Sequence, residues 1–295
     1  MKRLSGGWGR VALLTAALIW GSSFIVMKNA VEGVPVFMLL GIRFTVGCLL
    51  LTLIFHRRLK RIGKKQLLHG AVVGTLLFAA YTVQTFGLRE TTPGKNAFLT
   101  AVYCVLVPFV NWLIFRRRPT GWNWLAAVMC LAGIGLVSLE GDLTMNRGDA
   151  LTLLGGVFYA LHLVAVSRFG EEDDPVMLTM LQFGASAVWC WGLSLLTETM
   201  PHPFPTNAWF ELAYLAVFAT TVALLLQNVG QSVTPAAPAA ILLSLESVFG
   251  VAFSVMLGAE GLTAQLVCGF ALIFLAVVAS ETQFSFLRKG RRHEA

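Results

Sequence analysis

Ten long apolar segments follow one another along the chain, separated by short polar connections. Each is close to the ~20 residues that an α-helix needs to cross the hydrocarbon core of a bilayer. Membrane β-strands would instead alternate apolar and polar residues over about ten positions. The pattern therefore predicts an all-α integral membrane protein with ten transmembrane spans. Spans 1 to 10 are expected at residues 11–31, 35–55, 68–88, 95–115, 122–140, 149–167, 176–196, 208–228, 237–257 and 263–283.

Similar residues recur at matching positions in spans 1–5 and spans 6–10. With an offset of 139, Trp20 aligns with Tyr159 and Ser23 with His162; with an offset of 143, Gln84 aligns with Gln227, Gly87 with Gly230, Thr91 with Thr234 and Tyr103 with Glu246. Five is an odd number of helices, so a second copy of a five-helix unit would enter the membrane upside down, as in many secondary transporters. The pattern predicts two inverted five-helix repeats, and chance similarity between apolar helices is the alternative.

The composition agrees with a membrane location. Apolar residues make up 57% of the chain and charged residues 13%, against about 45–50% and about 25% in soluble domains. A soluble protein with so few charges would have too little polar surface to stay monomeric, whereas lipid covers an apolar exterior.

The net charge of +7 invites comparison with nucleic-acid-binding proteins, but the positions of the charges argue against that class. Seventeen of the 22 Lys and Arg residues flank the spans on one side and four on the other, with Arg43 inside span 2. Basic residues accumulate on the cytoplasmic side of membrane proteins. Both termini are therefore predicted in the cytoplasm, and no nucleic-acid partner is expected.

The sequence offers little catalytic chemistry. All five cysteines lie within spans without the paired spacing typical of metal ligands, so they are interpreted as packing residues. The one acidic cluster, Glu171–Asp174, is interpreted as a solvated turn. No H-E-x-x-H motif, nucleophile elbow or phosphate-binding loop occurs in the sequence. No cofactor and no metal are expected.

Several segments, in a fixed order, carry a resemblance to a known family. Residues 17–24 read ALIWGSSF, span 2 contains Arg43-Phe44, residues 91–100 read TTPGKNAFLT, residues 103–108 read YCVLVP, and residues 240–249 read AILLSLESVF. Together they resemble the EamA family of the drug/metabolite transporter (DMT) superfamily. The resemblance covers nearly the whole chain, with EamA-like repeats at residues 8–140 and 146–284 and a basic cytoplasmic tail at 285–295.

The resemblance implies an EamA/DMT fold in which spans 1, 3, 4, 6, 8 and 9 enclose a central cavity and spans 5 and 10 are peripheral. Members of the family move amino acids, metabolites or drug-like compounds by opening to one membrane face at a time. The resemblance also places span 2 outside the lining of the cavity.

Three ionisable residues lie deep inside the spans: Arg43, His162 and Glu246. A charge at the bilayer centre costs about 2.5–3.5 kcal/mol on insertion scales, so such residues should face protein or water. Glu246 is a candidate for proton coupling or for binding a cationic group, and a structural ion pair is the alternative. His162 is a second proton-coupling candidate, or a hydrogen-bonded packing residue. Arg43 is interpreted as a structural intramembrane charge, with binding of an anionic group as the alternative.

A set of aromatic and polar residues is predicted to face one central substrate cavity, although ordinary helix packing is the alternative for each member. Aromatic surfaces with a few polar groups suit an amphipathic solute. The set comprises Trp20, Ser23, Gln84, Tyr103, Tyr159, His162, Gln227 and Glu246.

These observations predict a secondary transporter that works by alternating access. The expected substrates are small amphipathic metabolites, amino acids or drug-like compounds, and export is the expected direction. The alternative function is an integral-membrane enzyme acting on a lipid or lipid-linked substrate. The expected location is the cell (inner) membrane, with a small-molecule substrate and the lipid bilayer as partners. A homodimer is possible, and the sequence does not decide the oligomeric state.

Overall fold

The computed structural model describes residues 6–116, 118–138, 145–201, 206, 208–234 and 236–283. Within these ranges the side chains of residues 6, 61, 138, 236–241 and 281 are not part of the description. The predicted tail at 285–295 and most of the connection around residue 140 lie outside the described residues.

The described part of the chain is helical apart from its connections. In the first half the helices are α1 (Gly6–Gly33), α2 (Val36–Ile54), α3 (Lys64–Glu90), α4 (Pro93–Thr100), α5 (Val102–Phe115) and α6 (Gly121–Ser138), with a 3₁₀ turn at His56–Arg61. In the second half they are α7 (Arg147–Gly170), α8 (Pro175–Thr197), α9 (Ala208–Tyr214), α10 (Ala223–Gln231), α11 (Ala236–Met256) and α12 (Ala264–Thr282). A π-helical segment, Leu215–Val222, joins α9 to α10.

Seven helices within the described residues are long and apolar enough to cross a membrane. Two of them are composite, since α4 continues into α5 and α9 continues through the π-helical segment into α10. Three further apolar helices are shorter, at Gly121–Val137, Leu242–Met256 and Ala264–Ser280. They coincide with predicted spans 5, 9 and 10.

Proline and capping residues set the starts of two helices. Pro93 and Pro175 occupy the first turn of α4 and α8, where a backbone N–H has no partner inside the helix. The side chains of Thr92 and Asp174 precede them and accept hydrogen bonds from N–H groups of the first turn.

Glycines allow two pairs of helices to cross closely. A Cβ atom on Gly87 of α3 would lie 2.7 Å from the carbonyl oxygen of Gly148 of α7, and one on Gly230 of α10 would lie 3.0 Å from that of Gly9 of α1. The sequence offsets relate the two crossings, because 139 added to Gly9 gives Gly148 and 143 added to Gly87 gives Gly230. The α3–α7 contact therefore has a counterpart between α1 and α10.

Large apolar side chains cover the outside of the bundle. Leu113, Leu195, Leu196, Phe210 and Met256 are 75–81% exposed. Soluble monomers rarely present extended apolar surface to water. The surface of this bundle is therefore suited to lipid contact.

The acidic cluster Glu171–Asp174 is more than the solvated turn expected from the sequence. Asp173 is 7% exposed, and its Oδ2 lies 2.6 Å from Nδ1 of His69. Asp174 forms an ion pair with Arg58 in addition to capping α8. The expectation was wrong because the α7–α8 connection packs against the start of α3, which supplies hydrogen-bonding partners to the acids.

Candidate functional site

A central cavity lies between helices of both halves. All eight residues predicted from the sequence to face a common space line it: Trp20, Ser23, Gln84, Tyr103, Tyr159, His162, Gln227 and Glu246. Residues that the sequence analysis did not assign to the cavity also line it, among them Phe24, Met27, Arg43, Tyr81, Asn96 and Thr100.

A row of tyrosine rings connects a base to an acid across the cavity. The guanidinium carbon of Arg43 lies 5.2 Å from the centroid of the Tyr81 ring. Tyr81 and Tyr159 pack edge to face with centroids 5.6 Å apart, and Tyr159 lies 6.0 Å from Tyr103. The Tyr103 hydroxyl donates to Oε1 of Glu246 over 3.3 Å. The cavity thus has a cationic end and an acidic end, separated by aromatic surface.

Arg43 lies at the cationic end, and the expectation that its helix stays outside the cavity lining was wrong at this residue. The side chain is long enough to reach the cavity from α2, and it is 3% exposed. Its Nε donates to Oγ1 of Thr220 at 2.9 Å, and its Nη1 lies 3.3 Å from the sulfur of Met27. Within the described ranges, no carboxylate lies within ion-pair distance of Arg43.

Glu246 lies at the acidic end and is 5% exposed. The hydroxyl of Tyr103 is the one hydrogen-bond donor to its carboxylate that the described side chains supply. It forms no ion pair with Arg43 or with any other described basic residue. The structural ion pair considered from the sequence is therefore not formed in this conformation.

Amides and hydroxyls line the space between the two ends. The Tyr159 hydroxyl donates to Oε1 of Gln84 at 2.8 Å, and Nε2 of Gln84 donates to Oγ1 of Thr100 at 2.9 Å. His162 lies 3.0 Å from Oε1 of Gln182 through its Nε2. The Oε1 atom of Gln227 is buried and accepts no hydrogen bond from the described residues.

Trp20 and Ser23 are held by backbone contacts. The indole Nε1 of Trp20 donates to the carbonyl of Ala219 at 2.8 Å, and the Ser23 hydroxyl donates to the carbonyl of Trp20 at 2.8 Å. The bond to Ala219 holds the indole of α1 against the π-helical segment Leu215–Val222. Tyr81, which the sequence analysis missed, lies three residues before Gln84 on the same face of α3, and this spacing was the signal that would have found it.

A second, larger cavity lies beside the first. Tyr103 and Leu163 line both, so the two spaces are adjacent. The second cavity extends to Glu171 and Ser232, in the connections after α7 and α10. This is the basic end of the bundle, which we define as the end that carries residues 55–65, 116, 118–120, 168–174 and 231–234.

We define the far end of the bundle as the end that carries residues 33–35, 90–95, 145–149 and 257–263. Hydrogen bonds join the two halves of the chain at this end. The hydroxyl of Thr91 donates to the buried carboxylate of Asp149, and that of Thr92 donates to Oε1 of Glu260 at 2.6 Å. At the basic end, Thr234 aligns with Thr91 through the offset of 143, and its buried hydroxyl has no hydrogen-bond partner among the described atoms. Contacts between the two halves also occur at the basic end, where Asp173 and Asp174 pair with His69 and Arg58. The larger cavity extends to this basic end.

Comparison with known proteins decides the family. The model of the EamA-like transporter family matches residues 7–139 and 146–281. This chain belongs to the EamA-like transporter family.

Relatives of this EamA-like transporter occur in both archaea and bacteria. An uncharacterized transporter of Archaeoglobus fulgidus is 35% identical over 285 residues, which cover 94% of this chain and 86% of the relative. The uncharacterized inner membrane transporter YedA of Escherichia coli K12 is 26% identical over 216 residues, covering 72% and 71%. The uncharacterized transporter YvbV of Bacillus subtilis is 26% identical over 287 residues, covering 93% and 92%.

A solved crystal structure shares the fold of this EamA-like transporter. It superposes with a TM-score of 0.70 over 95% of this chain and 98% of the other, at 18% sequence identity. Family and relatives together identify a multi-pass membrane transporter rather than an enzyme, so its substrate is a small molecule and its environment is the lipid bilayer.

Proposed function

We propose that this protein is a ten-span secondary transporter that exports small amphipathic metabolites, amino acids or drug-like compounds by alternating access. The observation that carries the proposal is the central cavity, which receives side chains from both halves and adjoins a larger cavity that extends to the basic end. Such a cavity near mid-membrane is where secondary transporters bind their substrates. The conformation corresponds to a state open toward the basic end.

Two inverted repeats, at residues 8–140 and 146–284, complete the proposed architecture. The family model matches the chain twice, with a gap between residues 139 and 146. The related Gly87–Gly148 and Gly9–Gly230 crossings support the same division, since they place α3 against α7 as α10 is placed against α1. The three shorter apolar helices would supply spans 5, 9 and 10.

Glu246 and His162 are the proposed proton-coupling residues of this transporter. Both are buried in the lining of the cavity. Neither forms an ion pair with a described residue, so neither charge state is fixed by a salt bridge. The sequence contains no phosphate-binding loop, and an ion gradient is therefore the proposed source of energy.

The experiment that tests the proposed function compares metabolites in cells with and without the protein. We expect one solute class to fall inside the cells and to rise in the medium when the protein is present. An unchanged metabolite profile would contradict the proposal, and a catalytic activity of the purified protein would then favour the enzyme alternative.

The topology prediction is that both termini lie in the cytoplasm, because basic residues are concentrated at one end of the bundle. Reporter fusions after Lys64 and at the C-terminus should report the cytoplasm, and a fusion after Pro201 should report the outside. A C-terminal fusion that reports the outside would reverse the orientation.

A further inference from the structure

We infer that the central cavity selects amphipathic solutes that carry a single carboxylate, and that Arg43 is the residue that binds this carboxylate. The inference rests on the proposed function, because it names the substrate class of the same cavity. It replaces the brace role that the sequence suggested for Arg43.

Arg43 has no counter-charge among the described residues. A guanidinium group stays protonated in proteins, and burying an ion costs several kcal/mol unless it is paired. The acceptors around Arg43 are neutral: the hydroxyl of Thr220, the thioether of Met27 and the ring of Tyr81. A structural brace would be expected to have an acid as its partner, and none of the described acids lies within ion-pair distance. An anion that enters the cavity would supply the missing charge.

The position of the Arg43 guanidinium is fixed by contacts with Thr220 and Tyr81. Its Nε bonds Thr220 within the π-helical segment Leu215–Val222, and π-helical turns occur frequently at functional sites. The cation also lies over the face of the Tyr81 ring, which orients it by a cation–π contact. A guanidinium fixed in this way presents its remaining N–H donors as a fork that matches a carboxylate.

The charge of the lining residues limits which ligands the cavity can neutralise. Arg43 is the one basic side chain among the lining residues apart from the imidazole of His162, and Glu246 lies in the same cavity. A dianionic phosphate would need more positive charge than this cavity offers, whereas a monocarboxylate is neutralised by one guanidinium. The rings of Tyr81, Tyr159 and Tyr103 extend from Arg43 toward Glu246 and provide the surface for the apolar body of the solute.

The test measures binding of a matched series to the purified full-length protein, by calorimetry and by the shift in unfolding temperature. The series is 3-phenylpropionate, its neutral isostere 3-phenylpropanamide, the cation 3-phenylpropylamine, the zwitterion phenylalanine, and aliphatic carboxylates of increasing length. We expect the carboxylates to bind more tightly than the amide and the amine, and phenylalanine to bind no more tightly than 3-phenylpropionate. A wild-type protein that binds no carboxylate, or that binds carboxylate and amide equally, overturns the inference.

Variants of Arg43 assign the effect to this side chain. Arg43→Gln should weaken carboxylate binding by at least about 30-fold, which corresponds to the smallest cost expected for removing one partner of a buried charge pair. The same variant should leave amide binding unchanged. Arg43→Lys should fall in between, because it keeps the charge but loses the fork. The matched control is Arg10→Gln, which changes an exposed arginine. Wild-type carboxylate affinity in Arg43→Gln overturns the inference; if that variant does not fold, the ligand series and Arg43→Lys decide.

Sodium chloride, titrated into chloride-free buffer, separates an organic substrate from an inorganic anion. Chloride that stabilises the wild-type protein through Arg43 as strongly as the carboxylates do would overturn the inference. The outcomes also separate this inference from the proposed function. Export of a neutral or cationic solute by cells would leave the transporter intact while refuting the carboxylate site, whereas an unchanged metabolite profile would contradict transport whatever the protein binds.

Discussion

Glu246→Gln is expected to abolish proton-driven accumulation of solute while the protein still inserts into the membrane and binds its substrate. The carboxylate is buried without an ion pair to any described base and accepts one hydrogen bond, from Tyr103. A lone buried carboxylate is costly unless it is hydrated or protonated, so binding and releasing a proton is the natural chemistry of this residue. The amide of glutamine keeps the shape and can accept the same bond, but it cannot exchange the proton.

The measurement uses inside-out membrane vesicles with and without an imposed proton gradient. In the variant, gradient-driven accumulation should fall to the level of vesicles that lack the protein, while gradient-independent exchange persists. The matched control is Glu211→Gln, which changes an acid in α9 that is absent from the cavity lining. Normal proton-driven transport by a well-expressed Glu246→Gln variant would show that another residue carries the proton.

Removing the carboxylates that tie the far end is expected to open the cavity toward that side. Asp149 and Glu260 both accept hydrogen bonds from the connection between α3 and α4, which belongs to the other half of the chain. Hydrogen bonds to charged groups contribute about 1.5–3 kcal/mol each, and every 1.4 kcal/mol changes an equilibrium about tenfold. The double variant Asp149→Ala/Glu260→Ala should therefore increase the population open at the far end by at least about tenfold.

For the measurement, Ser23, which lines the cavity, is replaced by cysteine in a variant that lacks the five native cysteines. A membrane-impermeant thiol reagent added from outside should modify this cysteine at least about ten times faster in the double variant. Glu90→Ala is the matched control, because Glu90 also approaches the other half at the far end, through a 3.9 Å pair with Arg147 that is exposed to solvent. Exposed pairs contribute little, so its rate should match the parent. Equal rates in all three proteins would show that the carboxylates of Asp149 and Glu260 do not hold the far end closed.

Much of the cavity could be predicted from the sequence because similar residues recur in the two halves of the chain, which supplies information that apolar patterning does not. The offsets of 139 and 143 pair residues of similar chemistry, as Gln84 and Gln227 illustrate. A residue recognised as polar in one half therefore points to its counterpart in the other. All eight residues selected in this way line the central cavity.

The residues that were missed lie where helix rotation and side-chain length decide the outcome. In a membrane bundle, apolar residues face both lipid and neighbouring helices, so periodicity does not fix which way a helix is turned. Arg43 reaches the cavity from α2 through its long side chain, and Tyr81 packs against a ring from the other half. Asp149 and Glu260 acquire their role only when distant connections meet at the far end. These contacts depend on tertiary structure, which the linear pattern does not contain.

The most direct test of transport through the central cavity is solute exchange by protein reconstituted into liposomes. The cysteine introduced at Ser23 is first reacted with a bulky thiol reagent, and exchange of the solute identified in the metabolite comparison is then measured before and after the reaction. Because Ser23 lines the cavity, we expect exchange to fall to the level of protein-free liposomes, and to be restored when the reagent is removed by reduction. Exchange that continues undiminished with the cysteine fully modified would place the route of the solute elsewhere in the protein.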